Sequence, residues 1–256
     1  QMLNLLDCGP LIFDRFHWSP VVYGEVLRDG PELSEYDLWA LDGYLMSRGY
    51  VTILCSTGVD LMVENNRNAP QLWEEVKKFE VLNRLNNEYL KLRYKNNRCL
   101  LYDYRSHTVD SMLENIARLA KPAAPEHVLG DPRPWLWFVG DERADRGLNG
   151  IKIPFYDVGI SDKLLSGTLL HRALRDNRYT WGHRVALSNS AGVDVGKVYS
   201  ELGEPPVVVA LGGVAARRLV DAGIQMRVVS HPQWWRRFRH NDPDVYTRII
   251  KEAVEG

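Results

Sequence analysis

The chain has 256 residues, a formal net charge of −1 and a hydrophobic fraction of 45%. This length suits one large domain or two ordinary ones, and the near-neutral charge gives the whole molecule no strong attraction to nucleic acid or to a membrane surface. No apolar run approaches the roughly 18 residues that cross a bilayer, and the three cysteines fit neither a disulfide framework nor a zinc site. We therefore expect a cytoplasmic protein with no membrane partner.

The first half of the chain alternates short apolar strands with helices. The predicted strands are PLIFDRF, YVTILCS and CLLYDY, and the predicted helices are SEYDLWALDGYLMSRG, APQLWEEVKKFEVLNRLNNEYLKLRYK and TVDSMLENIARLA. Ser34 is the expected cap of the first helix, and Gly49 is its expected stop. This alternation predicts a parallel sheet that is covered on both faces and binds ligands at the carboxyl ends of its strands.

A charged pair, Asp14 and Arg15, stands at the end of the first predicted strand. Burying charged side chains is costly unless they are paired or used. Two interpretations follow from the residues alone. The pair is either a structural ion pair that caps the sheet or part of a ligand site at the strand end.

Several consecutive segments within residues 1–120 resemble the thymidylate kinases and related P-loop nucleoside and nucleotide kinases. They are the Asp-Arg strand with the following SPVVYG, the strand VTILCS, the Arg-bearing loop ENNRNAP, a long helix containing Tyr89, and LLYDY. The resemblance implies that Asp14 lies near magnesium, which it holds indirectly, and that Arg15 holds the phosphoryl acceptor. Phosphoryl transfer uses positive charge to gather anionic oxygens and a carboxylate to orient metal or hydroxyl. ATP and magnesium are the cofactors that this family implies.

The same resemblance implies an acceptor site formed by Phe16, Tyr23, Arg28 and Arg67, with a solvated loop arginine as the alternative for Arg67. The phosphate-binding pattern G-x-x-x-x-G-K-[ST] is missing from the sequence. The nearest segment, GVDVGKV, is one residue short between its glycines and lies in the other half of the chain. Two explanations stay open: the pattern precedes Gln1, or this is a kinase-like domain that no longer binds a nucleotide donor.

The segment KPAAPEHVLGDPRP, residues 121–134, contains four prolines and no periodic apolar pattern, which predicts a linker. Before residue 128 the chain carries 14 Lys and Arg against 18 Asp and Glu, and from there on it carries 18 against 15. The second half is therefore the more basic one, and it is where we expect a phosphate-bearing partner.

The second half, residues 135–256, repeats the strand-helix alternation with a different set of strand ends. The strand PWLWFVG leads into GDERAD, a loop carries Pro154 and Phe155, RVALSNS ends at Asn189, VVVALGG precedes a helix, and MRVVS leads into His231. These five segments, in this order, are similar to the uracil-DNA glycosylase superfamily. The two resemblances together predict an α/β protein with two three-layer domains and mainly parallel sheets.

The second resemblance implies a base-binding pocket. Phe155 stacks on the extruded base, Asn189 reads its edge because an amide offers a donor and an acceptor, and His231 stabilises charge on a pyrimidine oxygen. Asp141 or Glu142 positions water at the sugar carbon. GDERAD departs from the Gly-Glu-x-Pro-Gly type of turn in the superfamily, so a base pocket is better supported than base excision. The alternatives are a core phenylalanine, a turn-forming asparagine and a histidine that caps a helix.

The segment QWWRRFRH, residues 233–240, places aromatic residues beside Arg236, Arg237 and Arg239. This pattern suits the backbone and the unstacked bases of a nucleic acid. The alternative is an amphipathic helix whose Trp and Phe pack inward while the arginines face solvent.

Two functional hypotheses result from the resemblances. The first is a phosphotransferase of thymidylate-kinase type with a glycosylase-like base-recognition domain. Its substrate is a thymine-like or modified pyrimidine nucleotide, including a hydroxymethyluracil-type base in viral DNA. The second is a uracil-DNA-glycosylase-like protein that binds or excises a DNA base and carries a degenerate kinase scaffold. The expected partner is a nucleotide or DNA substrate, with a homodimer as a further option.

Overall fold

The computed structural model shows a mixed α/β protein whose sheets are mostly parallel. Its contacts divide the chain into two compact units. The N-terminal unit contains the described residues of Ile12–Leu41 and Tyr50–Lys121, and the C-terminal unit contains those of Asp42–Gly49 and Pro122–Gly256. The structure describes residues 12, 17–67, 74–96, 99–120, 123–125, 127–141, 147–148, 151–152, 154–155, 166–238 and 242–256.

The N-terminal unit contains two parallel strands, β1 (Thr52–Cys55) and β2 (Cys99–Tyr102), with Thr52 opposite Cys99. Both confirm strands predicted from the sequence. The third predicted strand, PLIFDRF, lies outside the described residues except for Ile12. The helices of this part of the chain are α1 (Trp18–Leu27), α2 (Glu35–Ser47), α3 (Val59–Asn66), α4 (Phe79–Lys95) and α5 (Val109–Leu119).

Helix α2 begins with a reciprocal cap, which confirms the prediction for Ser34. The Ser34 hydroxyl accepts the backbone N–H of Asp37 at 3.1 Å, and the Asp37 carboxylate accepts the backbone N–H of Ser34 at 3.2 Å. Two donors that the helix itself leaves without a partner are thereby satisfied. The predicted stop is also confirmed, because Gly49 takes a φ of 83° and donates its N–H to the Met46 carbonyl.

Helix α4 begins ten residues later than the sequence pattern predicts. Residues Glu74–Lys77 form a short 3-10 turn, and Lys78 then takes an extended conformation before the helix starts. The apolar spacing correctly predicts the buried Leu82 and Leu85, whereas Phe79, in the first turn, is 45% exposed. Apolar residues continue at helical spacing on both sides of the break at Lys78, so the sequence pattern predicted one continuous helix. The predicted start of this helix is therefore wrong.

The strands of the C-terminal unit are β3 (Val128–Gly130), β4 (Leu136–Gly140), β5 (Gly147–Leu148), β6 (Ile151–Lys152), β7 (Val185–Asn189), β8 (Val207–Leu211) and β9 (Arg227–Val229). Five of them form one sheet in the order β3-β7-β4-β8-β9. Strand β3 is antiparallel to β7, and all other neighbours in this sheet are parallel. A separate antiparallel pair is formed by β5 and β6. Strand β3 lies inside the segment predicted as a linker.

Helices cover the central strands of this sheet, and every residue of β4 and β7 is buried. Strands buried on both faces are typical of parallel sheets, and the apolar runs of the sequence predict them. The helices are α6 (Ser166–Asp176), α7 (Val195–Glu201), α8 (Gly213–Asp221), α9 (Pro232–Phe238) and α10 (Pro243–Glu255). Helices α7 and α8 pack on the face that carries Trp137 and Ala210, and α10 packs against β8, β9 and α6.

Strand β4 lies in the centre of the sheet, with β7 on one side and β8 on the other. The chain passes from β4 to β7 and then crosses to β8, so the strand order reverses at β4. In open α/β sheets ligands bind beyond the carboxyl ends of the strands at such a reversal. Here Gly140 at the end of β4 lies opposite Asn189 of β7 and Leu211 of β8.

Among the residues that the structure describes, no helix has both the length and the apolar character that a membrane crossing requires.

Candidate functional site

The carboxyl ends of the parallel strands in the C-terminal unit bring together three predicted base-binding residues: Phe155, Asn189 and His231. The Phe155 and His231 rings are stacked, with centroids 6.2 Å apart and an interplanar angle of 29°. Gly140 lies between Phe155 and Asn189. A Cβ atom at Gly140 would lie 2.6 Å from Asn189 Oδ1 and would overlap the Phe155 ring. Only glycine fits at this position, which the sequence alone does not reveal.

The side chain of Asn189 is buried, with 3% exposure, at the last position of β7. Within the described part of the chain, neither its Nδ2 nor its Oδ1 has a hydrogen-bonding partner. A buried polar group without a partner costs about 1–3 kcal/mol, and the large majority of such groups in folded proteins are satisfied. A donor and an acceptor are therefore held together at the carboxyl edge of the sheet, without bonds to any residue that the structure describes. The alternative of a turn-forming asparagine is not supported by any hydrogen bond of this amide.

Phe155 follows Pro154 and adopts a φ of 59°, which is uncommon for a residue with a side chain. Its ring is buried against Gly140 and beside Asn189 Oδ1. Unfavourable backbone conformations of this kind cost about 1–3 kcal/mol and are concentrated at functional sites. The Phe155 ring and Asn189 Oδ1 therefore both lie next to Gly140 in the structure.

His231 follows β9 and caps α9, because its Nδ1 accepts the backbone N–H of Gln233 at 3.1 Å. In the neutral imidazole one nitrogen accepts and the other carries the proton. This bond consequently assigns the proton of the neutral ring to Nε2. The capping interpretation of His231 is confirmed by this bond.

Asp141, at the end of β4, caps helix α8. Its Oδ1 accepts the backbone N–H of Ala215 at 2.7 Å, and its carboxylate lies against the Cα of Gly212, which has a φ of 111°. A carboxylate at a helix N-terminus is stabilised by the exposed N–H groups and by the helix dipole. The sequence analysis missed this role. The other candidate for positioning water, Glu142, lies outside the described residues.

A second residue that the sequence analysis missed is Arg218, on α8. Its Nη1 donates to the Asp141 carbonyl at 3.2 Å and to the Ser190 hydroxyl at 3.1 Å. The Ser190 hydroxyl donates to the same carbonyl at 3.0 Å, and the Ser190 N–H donates to the Gly140 carbonyl at 2.8 Å. Asp141 and Ser190 directly follow the two facing strand ends. The only sequence signal is a polar residue after each of two apolar strands.

Helix α9 carries the segment predicted to contact nucleic acid. The rings of Trp234 and Phe238 are 43% and 62% exposed and lie 5.5 Å apart, while Trp235 packs against Tyr246 at 5.9 Å. The alternative in which the aromatic residues pack inward is therefore wrong for Trp234 and Phe238 and correct for Trp235. Of the predicted arginines, Arg237 is exposed on α9, Arg236 lies on the same helix, and Arg239 lies outside the described residues.

In the N-terminal unit, two of the predicted acceptor residues line one cavity of ≈ 250 Å³. These residues are Tyr23, on α1, and Arg28, which follows it. The guanidinium of Arg28 forms an ion pair with Glu32, and Ser19 is hydrogen-bonded to Tyr89 at 2.8 Å. The lining residues are Ser19, Pro20, Tyr23, Arg28 and Glu32.

The other predicted residues of the kinase site are not placed in this cavity. Arg67 is exposed after the last turn of α3 and does not line it. Asp14, Arg15 and Phe16 lie outside the described residues. Among the residues that are described, no group of three or more His, Cys, Asp or Glu side chains is arranged to hold a metal ion.

The segment GVDVGKV does not have the form of a phosphate-binding loop. Asp194 caps α7 by accepting the backbone N–H of Lys197 at 3.0 Å, and the Lys197 ammonium lies 3.8 Å from Glu201. A phosphate at this helix end would meet a carboxylate in place of open N–H groups. This segment therefore does not fit the phosphates of ATP.

A further cluster, unpredicted from the sequence, follows β2. Arg105 donates to both carboxylate oxygens of Asp103, at 3.0 and 2.7 Å. The hydrogen bonds from Arg105 lower the pKa of Asp103 to about 2. The guanidinium of Arg105 also lies beside the Cα of Gly58, at the start of α3. This cluster ties the loop after β2 to the end of β1.

Comparisons of this chain with protein-family models, with curated proteins and with solved structures found no match.

Proposed function

We propose that the C-terminal unit binds a pyrimidine base of the uracil or thymine type beyond the carboxyl ends of β4, β7 and β9. The observation that carries this proposal is the buried amide of Asn189, whose donor and acceptor have no partner in the described part of the chain. An amide presents a donor and an acceptor side by side. With Nδ2 on O4 and Oδ1 on N3–H, it selects uracil or thymine over cytosine, whose edge has the reverse polarity.

The neighbouring side chains supply the other contacts that a base needs. The ring of Phe155 offers a face for stacking, and Nε2–H of His231 offers a donor for the pyrimidine O2. Because the Phe155 ring rests on Gly140 next to Asn189 Oδ1, we expect the ring to shift when a base enters. The base then pairs with the amide and takes the ring as its stacking partner.

The position of Asp141 supports base recognition over base excision. In the superfamily that the second half resembles, an acid or an amide orients a water molecule for excision, and the candidates here are Asp141 and Glu142. Of these two, Asp141 has its Oδ1 bonded to the N-terminus of α8 and its carboxylate resting on Gly212. Releasing this carboxylate would leave the Ala215 N–H without its acceptor. Binding of a base uses only Phe155, Asn189 and His231 and leaves this cap intact.

The second candidate function is phosphoryl transfer, in which a thymidylate-kinase-like domain of residues 1–120 works beside a glycosylase-like domain of residues 135–256. The supporting observation is the cavity that Tyr23 and Arg28 share. On this proposal the substrate is a thymine-like or modified pyrimidine nucleotide, including a hydroxymethyluracil-type base in DNA. Asp14 and Arg15 serve the transfer, and ATP with magnesium supplies the phosphoryl group. The alternative is a DNA base reader with a degenerate kinase scaffold.

Calorimetric titration with deoxyuridine, thymidine and deoxycytidine tests the first proposal. We expect deoxyuridine and thymidine to bind about tenfold or more tightly than deoxycytidine, since one well-placed bidentate amide pair contributes about 1–3 kcal/mol of discrimination. Asn189→Ala should abolish the binding of deoxyuridine and thymidine, and with it the difference between the nucleosides. Asn177→Ala is the matched control, because Asn177 uses its amide on the Thr247 carbonyl at 2.8 Å. Equal binding of all three nucleosides, or an Asn189→Ala protein that binds as the wild type does, would refute the proposal.

Consumption of ATP in the presence of thymidine nucleotides or of hydroxymethyluracil-containing DNA tests the second. If Arg15 serves the transfer, Arg15→Ala should lower the rate by an amount worth about 2–4 kcal/mol while the protein stays folded. A protein that consumes ATP at an unchanged rate after this substitution would remove Arg15 from the site. A wild-type protein that consumes no ATP would favour the base reader.

A further inference from the structure

We infer that Arg218 is a positioning residue that sets the geometry of the base site, an inference that rests on the proposed base binding. Arg218 contacts neither Asn189 nor Phe155 in any hydrogen bond of the described residues. It acts on the residues that directly follow the two strand ends on which the site is built. These residues are Asp141, after Gly140 of β4, and Ser190, after Asn189 of β7.

The hydrogen bonds form a closed set. The Asp141 carbonyl oxygen accepts one bond from Arg218 Nη1 and one from the Ser190 hydroxyl. Both lone pairs of this oxygen are therefore used. The Ser190 hydroxyl is in turn an acceptor for Arg218 Nη1, so one nitrogen of the guanidinium reaches both loops. These bonds are charge-assisted on the arginine side and are therefore stronger than bonds between neutral groups.

The Asp141 side chain closes the set on the helix that carries the arginine. Its Oδ1 accepts the N–H of Ala215, three residues before Arg218 on α8. Asp141 is thus held at its backbone by Arg218 and at its carboxylate by the start of the same helix. If the end of β4 moved away from β7 or α8, the hydrogen bonds to the Asp141 carbonyl and the hydrogen bond to its carboxylate would break.

The consequence for the site is geometric. Gly140 and Asn189 are opposite each other in the sheet, and Asn189 Oδ1 lies close to the Gly140 Cα. Among the described residues no hydrogen bond fixes the Asn189 amide, so its direction depends on where the two strand ends are held. A binding side chain that is misplaced by about 1 Å loses much of its effect, and supporting residues prevent such a shift.

Arg218→Met removes the donors and keeps most of the apolar stem. We expect the Kd for deoxyuridine to rise on the order of 10-fold to 100-fold, the range measured for residues that orient ligand-binding side chains in metal sites. The ratio of deoxyuridine to deoxycytidine affinity should fall as well, because a misdirected amide loses its preference between the two edges. Arg218→Lys, which keeps the charge and a donor, should restore part of both.

Two control variants separate positioning from stability. Arg217→Met changes an exposed arginine one position earlier on α8 and should leave binding unchanged. Arg227→Met removes bonds of 3.0 and 2.6 Å to the carbonyls of Ala253 and Val254, and it should lower the melting temperature without changing the affinity ratio. If Arg218 contributed only to stability, Arg218→Met would likewise lower the melting temperature without changing the affinity ratio.

Amide hydrogen exchange in the ligand-free protein tests the positioning role of Arg218 independently of base binding. Arg218→Met should speed exchange of the Ser190 N–H, which is bonded to the Gly140 carbonyl, more than that of amides within β8. If Asn189→Ala abolishes binding but Arg218→Met leaves both the Ser190 exchange and the affinity ratio unchanged, the positioning role of Arg218 is overturned and base binding is not. If the wild-type protein binds no pyrimidine, base recognition fails, and unchanged Ser190 exchange then overturns the positioning role as well.

Discussion

Replacing Asn189 by alanine should stabilise the protein while it removes base binding. In most buried positions Asn→Ala destabilises a protein because a hydrogen bond is lost. Here both polar atoms of the side chain are buried and have no partner among the described residues. The substitution therefore removes a desolvated donor and acceptor without breaking any internal bond that the structure shows.

The magnitude follows from two opposing contributions. Relief of the buried polar group is worth about 1–3 kcal/mol. The void that the missing amide leaves, roughly 25 Å³, costs about 0.6 kcal/mol at about 24 cal/mol per Å³. The net gain is on the order of 1 kcal/mol, which corresponds to a rise in Tm of roughly 2–4 °C in a chain of this size.

Scanning calorimetry of the wild type, Asn189→Ala and Asn177→Ala measures this difference. Asn177→Ala loses the bond to the Thr247 carbonyl and should melt at a lower temperature by an amount worth about 1 kcal/mol. The two asparagine variants should therefore shift in opposite directions. If Asn189→Ala melts as low as Asn177→Ala does, the Asn189 amide is satisfied inside the folded protein, and the argument for a ligand at this amide is refuted.

Three other outcomes are expected. Gly140→Ala should destabilise the C-terminal unit by about 1–3 kcal/mol, since its methyl group would overlap the Phe155 ring, and it should abolish nucleoside binding, since the same methyl group would lie 2.6 Å from Asn189 Oδ1; a stable variant that still binds would contradict the geometry. The pKa of Asp103, followed by NMR, should lie at about 2 and return toward 3.8 in Arg105→Ala. Because the folded pKa is lowered, the contribution of Asp103 to stability is complete above about pH 4 and disappears as the pH falls toward 2, so an unchanged Asp103 titration in the variant would exclude Arg105 as the cause. Joint replacement of Trp234 and Phe238 by alanine should weaken the binding of single-stranded oligonucleotides, whereas Arg237→Ala should mainly reduce its salt dependence; no binding at low salt in the wild type would exclude a nucleic-acid partner for α9.

Local sequence patterns predicted the parts of the fold that local interactions determine. The apolar runs of β4 and β7 were recognised as strands because both strands are buried along their whole length. The cap at Ser34 was recognised because its partner Asp37 is only three residues away. Asn189 and His231 were implied by the resemblance of the second half of the chain, and the structure places Asn189 at the end of β7 and His231 shortly after β9.

The features that the sequence did not reveal depend on residues that are far apart in the chain. Strand β3 is three residues long, lies in a proline-rich segment and becomes a strand by pairing with β7, more than fifty residues later. The bond from Asp141 to Ala215 spans 74 residues, and the bond from Arg218 to Asp141 spans 77. No local pattern distinguishes such a capping carboxylate from a catalytic one, because both follow a buried strand.

Asp141, directly after β4, and Asn189, the last residue of β7, lie one position apart in register at the ends of two neighbouring parallel strands, yet their polar atoms are in opposite states. The Asp141 carboxylate and carbonyl are both bonded inside the protein, to Ala215, Ser190 and Arg218. The Asn189 amide is buried without such bonds in the described residues. A group whose bonds are already made contributes structure, and a buried group without them favours a ligand that supplies the missing partners. The same edge of the sheet thus carries a carboxylate whose bonds are already made, at β4 and α8, and a buried amide at β7 that has no partner in the described residues, and the proposed base recognition rests on this contrast.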